Sequence, residues 1–370
     1  MRFDIPARRI VLLLVALSAL TASAPAAAAC GPGQVYTETN DPAGNQLLVF
    51  RAKANGLLTQ TQAVGAGGLG IGEHITSGGS VTVSADGCRV AAVNVASGAF
   101  AVFDVSPAGR VSFAGSAASG GAHAISLAIR GSLIAVLSTN EGGPTVIQTF
   151  TVAGHRVTPV PGSLQAVGPG VIDGGQIAFS ARGRYLVVST RKSQSIATFR
   201  VDAGVPTPAE SLPLTSGDWP YGFAIDARNQ VVLSAFSLSN AGGSYSSYQL
   251  SPAGGITTVT ASTSTSSKGA CWVSMLPDGA YAWGSSADLP ALVTMSVSPT
   301  GAIAVTAVAD TGGVSIRDIA VAPSGRYVYA LQPDGKVIRV YRVGAKGALT
   351  GVGTVPTPAS ATATGGIAAT

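Results

Sequence analysis

Charge is scarce in this 370-residue chain: Asp, Glu, Lys and Arg together make up 11% of it. Removing residues 1–29 lowers the formal net charge from +5 to +3, too little and too scattered to hold a nucleic-acid backbone, so no nucleic-acid partner is expected. Aromatic residues are also few, at 6%, and there are only three histidines and three cysteines. No CxxC pair and no Cys/His spacing marks a metal site. P-loop, GxSxG elbow and HExxH are all missing. Gly65-Ala66-Gly67-Gly68-Leu69-Gly70 matches GxGxxG in letters alone. Ile71–Gly79 after it is rich in Gly, Ser and Thr and has no helical spacing, so it offers no helix N-terminus to a pyrophosphate. The segment reads as a connecting loop. After the first 29 residues no apolar run is long enough to span a bilayer.

What the chain has in quantity is glycine, 48 residues of it, set between short runs of alternating apolar and polar residues. Ser315–Val355 shows the unit most clearly. Ile319–Ala322, Tyr327–Leu331, Lys336–Val343 and Ala348–Val355 read as four strands, separated by the turns Pro323–Arg326, Gln332–Gly335 and Gly344–Gly347. The turn residue between the first two strands recurs as Gly33, Gly87, Gly131, Gly183, Asn229, Gly279 and Gly325. Gly and Asn are the residues that accept the positive φ such turns need. A large side chain on the third strand recurs as Phe50, Phe103, Phe150, Phe199, Tyr248, Met295 and Tyr341. Both series have seven members in the same order. Repeats of about 40 to 50 residues, each of four strands, define an all-β, seven-bladed β-propeller with four-stranded antiparallel blades. The first copy starts at its second strand, with Val35-Tyr36, and Gly366–Thr370 resembles the innermost strand Asp318–Ala322. The C-terminal strand is therefore expected to join blade 1 and close the ring. Thr257–Ser267, a Ser/Thr run, reads as the outer strand of blade 5 with a solvated loop.

Residues 1–29 have the form of a signal peptide: Arg2, Arg8 and Arg9, the apolar run Ile10–Leu20, then Ala27-Ala28-Ala29. The expected mature unit is a single propeller domain over 30–370, exported by a bacterium to the periplasm or the extracellular space, with no membrane span and as a monomer. An oxidising compartment leaves one of the three cysteines unpaired. Cys30 and Cys88 lie beside the first turns of adjacent blades, which makes them the preferred disulfide. Cys271, at the start of an inner strand, reads as a buried thiol.

Several stretches resemble the secreted lactonase-like seven-bladed propellers, relatives of bacterial 6-phosphogluconolactonase and of fungal carboxymuconate lactonising enzymes. They are Val35–Asn40, Asn45–Phe50, Trp219–Ala227, Ala270–Gly279, Ile319–Leu331 and Val340–Thr354. The resemblance extends over nearly all of residues 30–370.

In a propeller the residues that enter the inner strands, and those that leave the second strands, converge on one mouth of the central channel. Those phases hold Asp173, Asp218, Trp219, Tyr221, Lys268, Trp272, Arg317 and Asp318, together with Asn40, Asp41, Glu141, Arg191 and Lys192. So many charges at one end of a charge-poor chain describe a pocket for a small oxygen-rich or carboxylated ligand, without cofactor or metal. Asp173, Arg191, Asp218, Trp219, Tyr221, Lys268 and Asp318 are its candidate binding residues, and Trp219 and Tyr221 a candidate stacking platform. Of the histidines, His123 is the one expected to face this mouth; His155 falls in an outer turn and His74 in the Gly-rich loop. The resemblance implies a catalytic His working with Arg and Glu, a set that His123, Arg317 and Glu141 match by phase. Such a base takes a proton from water attacking a lactone carbonyl, or serves lactonisation in reverse. Two functions remain open at this point, a lactone-opening or lactone-forming enzyme and a non-catalytic propeller that binds a ligand, glycan or protein.

Overall fold

A computed structural model describes Met1 and residues 30–370, apart from 141, 215–217, 239–241, 266–268, 287, 289 and 359–362. The candidate residues Glu141 and Lys268, and the expected signal segment, lie outside the described residues. The rest is seven antiparallel sheets in a ring, each a meander running from the central channel outward. The inner strands of blades 2 to 7 are Val81–Val83, His123–Arg130, Gly174–Phe179, Trp219–Ile225, Ala270–Met275 and Asp318–Val321. Blade 1 takes its inner strand, Gly365–Ala369, from the other end of the chain, and this strand pairs with Gln34–Glu38. Three short 3-10 turns are the only helical elements among the described residues, and none of their helices could cross a membrane.

The two sequence series mark real geometry. The seven turn residues all have positive φ, from +57° at Gly131 to +73° at Gly87. Asn229, the one that is not glycine, has φ +63° and donates order to its neighbour as well, since its Oδ1 accepts from Ala181 N at 2.7 Å. The seven large third-strand residues are all at most 3% exposed and pack against the preceding blade. In six blades the outer strand carries one extra residue directly opposite them, as where Val49 pairs Gln62 but Phe50 pairs Gln60. A bulge at the rim increases twist and interrupts a flat edge. In blade 3 the outer strand is instead divided into Arg156–Pro159 and Gln165–Ala166.

Cys30 and Cys88 form a disulfide that ties the start of blade 1 to the first turn of blade 2 across 58 residues. Closing a loop of that length is worth roughly 2–4 kcal/mol through restriction of the unfolded chain. Reduction, or C30S/C88S, is expected to lower the unfolding free energy from urea titration by that amount without changing the circular-dichroism spectrum of the folded state. Cys271 is buried, and burial pushes its thiol up to about 12, so it is no nucleophile near neutral pH.

Candidate functional site

The inner strands of blades 3 to 6 each carry an irregularity close to where they begin, at Ile125, Gly175, Tyr221-Gly222 and Cys271-Trp272. A bulge re-aims the side chain that sits in it. Here it holds Tyr221 and Trp272 edge to face, with ring centroids 6.5 Å apart. The carbonyls freed by the bulges are taken up by serines of the preceding blade: Ser189 Oγ donates to Tyr221 O, and Ser234 Oγ to Cys271 O at 2.7 Å. Gly222 is required by this packing, because a Cβ there would lie 2.8 Å from both Cys271 O and Trp272 Cα.

Arg191, leaving the second strand of blade 4, is the hub of the mouth. Its guanidinium is paired with Asp173, lies 5.1 Å over the Tyr221 ring and donates to Thr76 O at 2.9 Å. Thr76 belongs to the Gly-rich segment between blades 1 and 2, which does not stay at the periphery as a connecting loop would. Residues 71–80 form a strap across the mouth. It starts at Asn40, whose side chain donates to Glu73 O and accepts from Ile71 N. It passes blade 6, where His74 meets Trp272 edge to face at 5.4 Å, then blade 4 at Arg191. It returns through Ser77 Oγ to Ile125 O and Ser126 Oγ to Gly78 O, both 2.6 Å.

This corrects the reading of the histidines, because His74 enters the mouth too. Both its ring nitrogens are out of water and without a partner. Burial, with the positive charges of Arg317 and Arg191 added to it, pushes its pKa down to about 3, so the ring is neutral. Nε1 of Trp272 and Nε of Arg191 are likewise buried and unpartnered. The signal that could have found His74 was the run Thr76–Ser80 itself. Its small residues are what a segment needs to lie against four blades at once.

The other candidates fall in different places. His123 opens the inner strand of blade 3, with Nδ1 3.3 Å from Val95 O of blade 2. Arg317 is partly exposed, 3.6 Å from Asp334, and its charge reaches His74 and Cys271. Asp218 is buried and accepts from Ser244 Oγ at 3.3 Å. Trp219 pairs in register with Phe236 on the second strand of blade 5, and the ring that meets Tyr221 edge to face beside Arg191 is that of Trp272. Asp318 has a structural place: its carboxylate accepts from Ile319 N at 2.8 Å and from Ile367 N of the closing strand at 3.1 Å. It pins the ring shut, and its oxygens are not offered to a ligand.

Glu38 is a further ionisable group that the sequence reading passed over. It is wholly buried in blade 1, where blades 4 and 5 have Ser189 and Ser234. One oxygen accepts from Asn45 Nδ2 at 2.8 Å, and Ser80 lies beside the carboxylate. Burial raises its pKa to about 8.

Seven four-stranded blades in a ring, with arginine, carboxylate and aromatic groups at one mouth, define a seven-bladed β-propeller. The family model described as lactonase, 7-bladed beta-propeller, matches residues 132–247, within blades 3 to 5. No curated protein matches the chain. Among solved structures, a candidate 6-phosphogluconolactonase of Bacteroides fragilis is 17% identical, with a TM-score of 0.68 over 90% of this chain and 96% of its own. A second, from Bacteroides uniformis, is 16% identical, with a TM-score of 0.70 over 88% and 96%. The periplasmic gluconolactonase of Pseudomonas aeruginosa is 17% identical, with a TM-score of 0.67 over 87% and 96%. At these identities the likeness is one of fold.

Proposed function

We propose that the mouth binds a small, oxygen-rich lactone bearing a carboxylate and opens it by hydrolysis. The observation that carries this reading is the gathering of unpartnered buried polar atoms there: both nitrogens of His74, Nε1 of Trp272 and Nε of Arg191. Buried polar atoms nearly always have partners, and a ligand with several oxygens supplies them. Arg191 and Arg317 hold the carboxylate, Tyr221 and Trp272 pack on the ring, and His74 takes the proton of the attacking water and returns it to the ring oxygen as the C–O bond breaks. An anion between the two guanidiniums offsets the positive potential that lowers His74, so its basicity rises as the ligand binds. His123 is the competing base. Export rests on the leader-like residues 1–29, on the Cys30–Cys88 disulfide, which suits an oxidising compartment, and on the periplasmic location named for the Pseudomonas protein.

The weak basicity of His74 favours a second reading, a propeller that binds the same ligand without chemistry. Proton release by residues 30–370 against a panel of sugar-type and muconate-type lactones separates the two. Turnover is expected to fall by at least about 100-fold in H74A and to stay within a few-fold of wild type in H123A. The reverse pattern moves the base to His123. Saturable lactone binding without turnover in the wild type establishes the binding protein. The pH profile of kcat/KM, which reports the free protein, is a further check: a base that is neutral above about pH 3 gives no acid limb between pH 5 and 8, and a limb near 6.5 in kcat/KM counts against His74.

A further inference from the structure

On the face opposite the mouth, blades 4 and 5 enclose a cleft of about 240 Å³ lined by Arg182, Arg184 and Arg228, with Tyr185 and Gln249 beside them. Arg130 reaches over from blade 3 and donates to Ala181 O at 3.0 Å, bringing a fourth guanidinium to the same turn. Among the described residues one of the four has a carboxylate: Arg228 is tied by its Nε to the buried Asp226 at 2.7 Å. Arg182 and Arg184 are exposed, and neither has a carboxylate partner among the described residues. Arg200 on the same blade is neutralised by Asp202 at 2.8 Å and adds nothing to the excess. In a chain with 11% charged residues, four arginines around one carboxylate are a concentration of like charge that folding does not require.

We propose that this cleft is an anion site for a phosphate group. Guanidinium forks match the oxygens of a tetrahedral anion two at a time, which an ammonium cannot do. The cleft is below the roughly 300 Å³ at which sites for drug-sized ligands begin, so it takes one phosphate and its immediate substituent rather than a nucleotide. The group is either free phosphate or the headgroup of an anionic lipid, and the geometry lies far from the mouth, so it is independent of the lactone reading.

The test is calorimetric titration of residues 30–370 with inorganic phosphate, beside co-sedimentation with vesicles of phosphatidylcholine alone or mixed with phosphatidylglycerol. Saturable phosphate binding is expected, weakened at least about tenfold in R182A/R184A, as suits the loss of charge-assisted hydrogen bonds. It is expected to be unchanged in R326A, which removes an arginine from the equivalent turn of blade 7. Capture by the phosphatidylglycerol vesicles without phosphate binding, and with the same dependence on the pair, assigns the site to a lipid headgroup. Equal weakening by R326A reveals diffuse charge and overturns the site, as does a failure of the wild type to bind either probe.

Discussion

A chain that stops at residue 358 is expected to lose its cooperative melting transition. Without Gly365–Ala369, blade 1 has no inner strand, and the second strand Gln34–Glu38 becomes an unpaired edge facing the channel. Ile367 and Ala368, 5% and 9% exposed, are removed from the cores they share with blades 7 and 2. Gly33 N loses its acceptor Thr370 O, Gln34 N keeps only Gly31 O of its two acceptors, and Asp318 loses the Ile367 N–H. Each orphaned buried group costs about 1–3 kcal/mol, and a typical domain has only about 5–15 kcal/mol in total. Circular-dichroism melting and gel filtration check this. A shortened chain that keeps a sharp transition near the wild-type temperature would show that six blades and a fraction stand by themselves.

The second large effect is expected from E38Q, and its sign depends on pH. Glu38 has a folded pKa of about 8 against an ordinary value of 4.5, so between those limits the folded state holds a proton that the unfolded state has released. Stability is then fully present below the ordinary value and falls as pH rises through that window. Asp318, pushed up to about 7 by burial from 3.8, acts in the same direction. His74 opposes them only from about 3 to 6.5, where the unfolded ring is protonated and the folded one is not. Above pH 6.5 the two acids decide the slope. Glutamine keeps the acceptor for Asn45 and turns its amide toward Ser80 Oγ, which sits beside the carboxylate in the wild type. E38Q is therefore expected to be more stable than wild type at pH 8.5 by about 2–4 kcal/mol, and about equal to it at pH 4. Urea titrations at the two pH values measure this; a variant destabilised at both would mean that the carboxylate is needed as an ion.

The blades were legible in the sequence because each is built from local rules repeated seven times. A turn that needs positive φ admits glycine or asparagine, and a face that meets the preceding blade admits a large apolar side chain. The closing strand was legible for a related reason: Gly366–Thr370 has the pattern of an inner strand and blade 1 lacked one. The site was only half legible. Phase along the strands placed Asp173, Arg191 and Tyr221 at the mouth, where they meet. It placed both Trp219 and Trp272 at the mouth but gave Tyr221 the former as its partner, because period-2 counting does not follow side chains through the bulges at Tyr221-Gly222 and Cys271-Trp272. It passed over His74 because the strap has no repeat and no periodicity; its path is set by tertiary hydrogen bonds to Asn40, Ile125 and Arg191. Glu38 was hidden by its setting in a run that otherwise reads as an ordinary strand.

The strap has a kinetic meaning as well. For the ligand proposed above, reaching His74 and Trp272 from outside means passing backbone held to four blades, and on that proposal entry waits for Thr76 to leave Arg191. Binding is then a first-order opening followed by a fast second-order capture. Its observed rate climbs with ligand concentration only until it equals the frequency of opening, a motion of the μs–ms kind. With one opening step common to all entrants, ligands of different affinity differ chiefly in how fast they leave, so the strap levels the rates of entry and leaves selectivity to the contacts made inside.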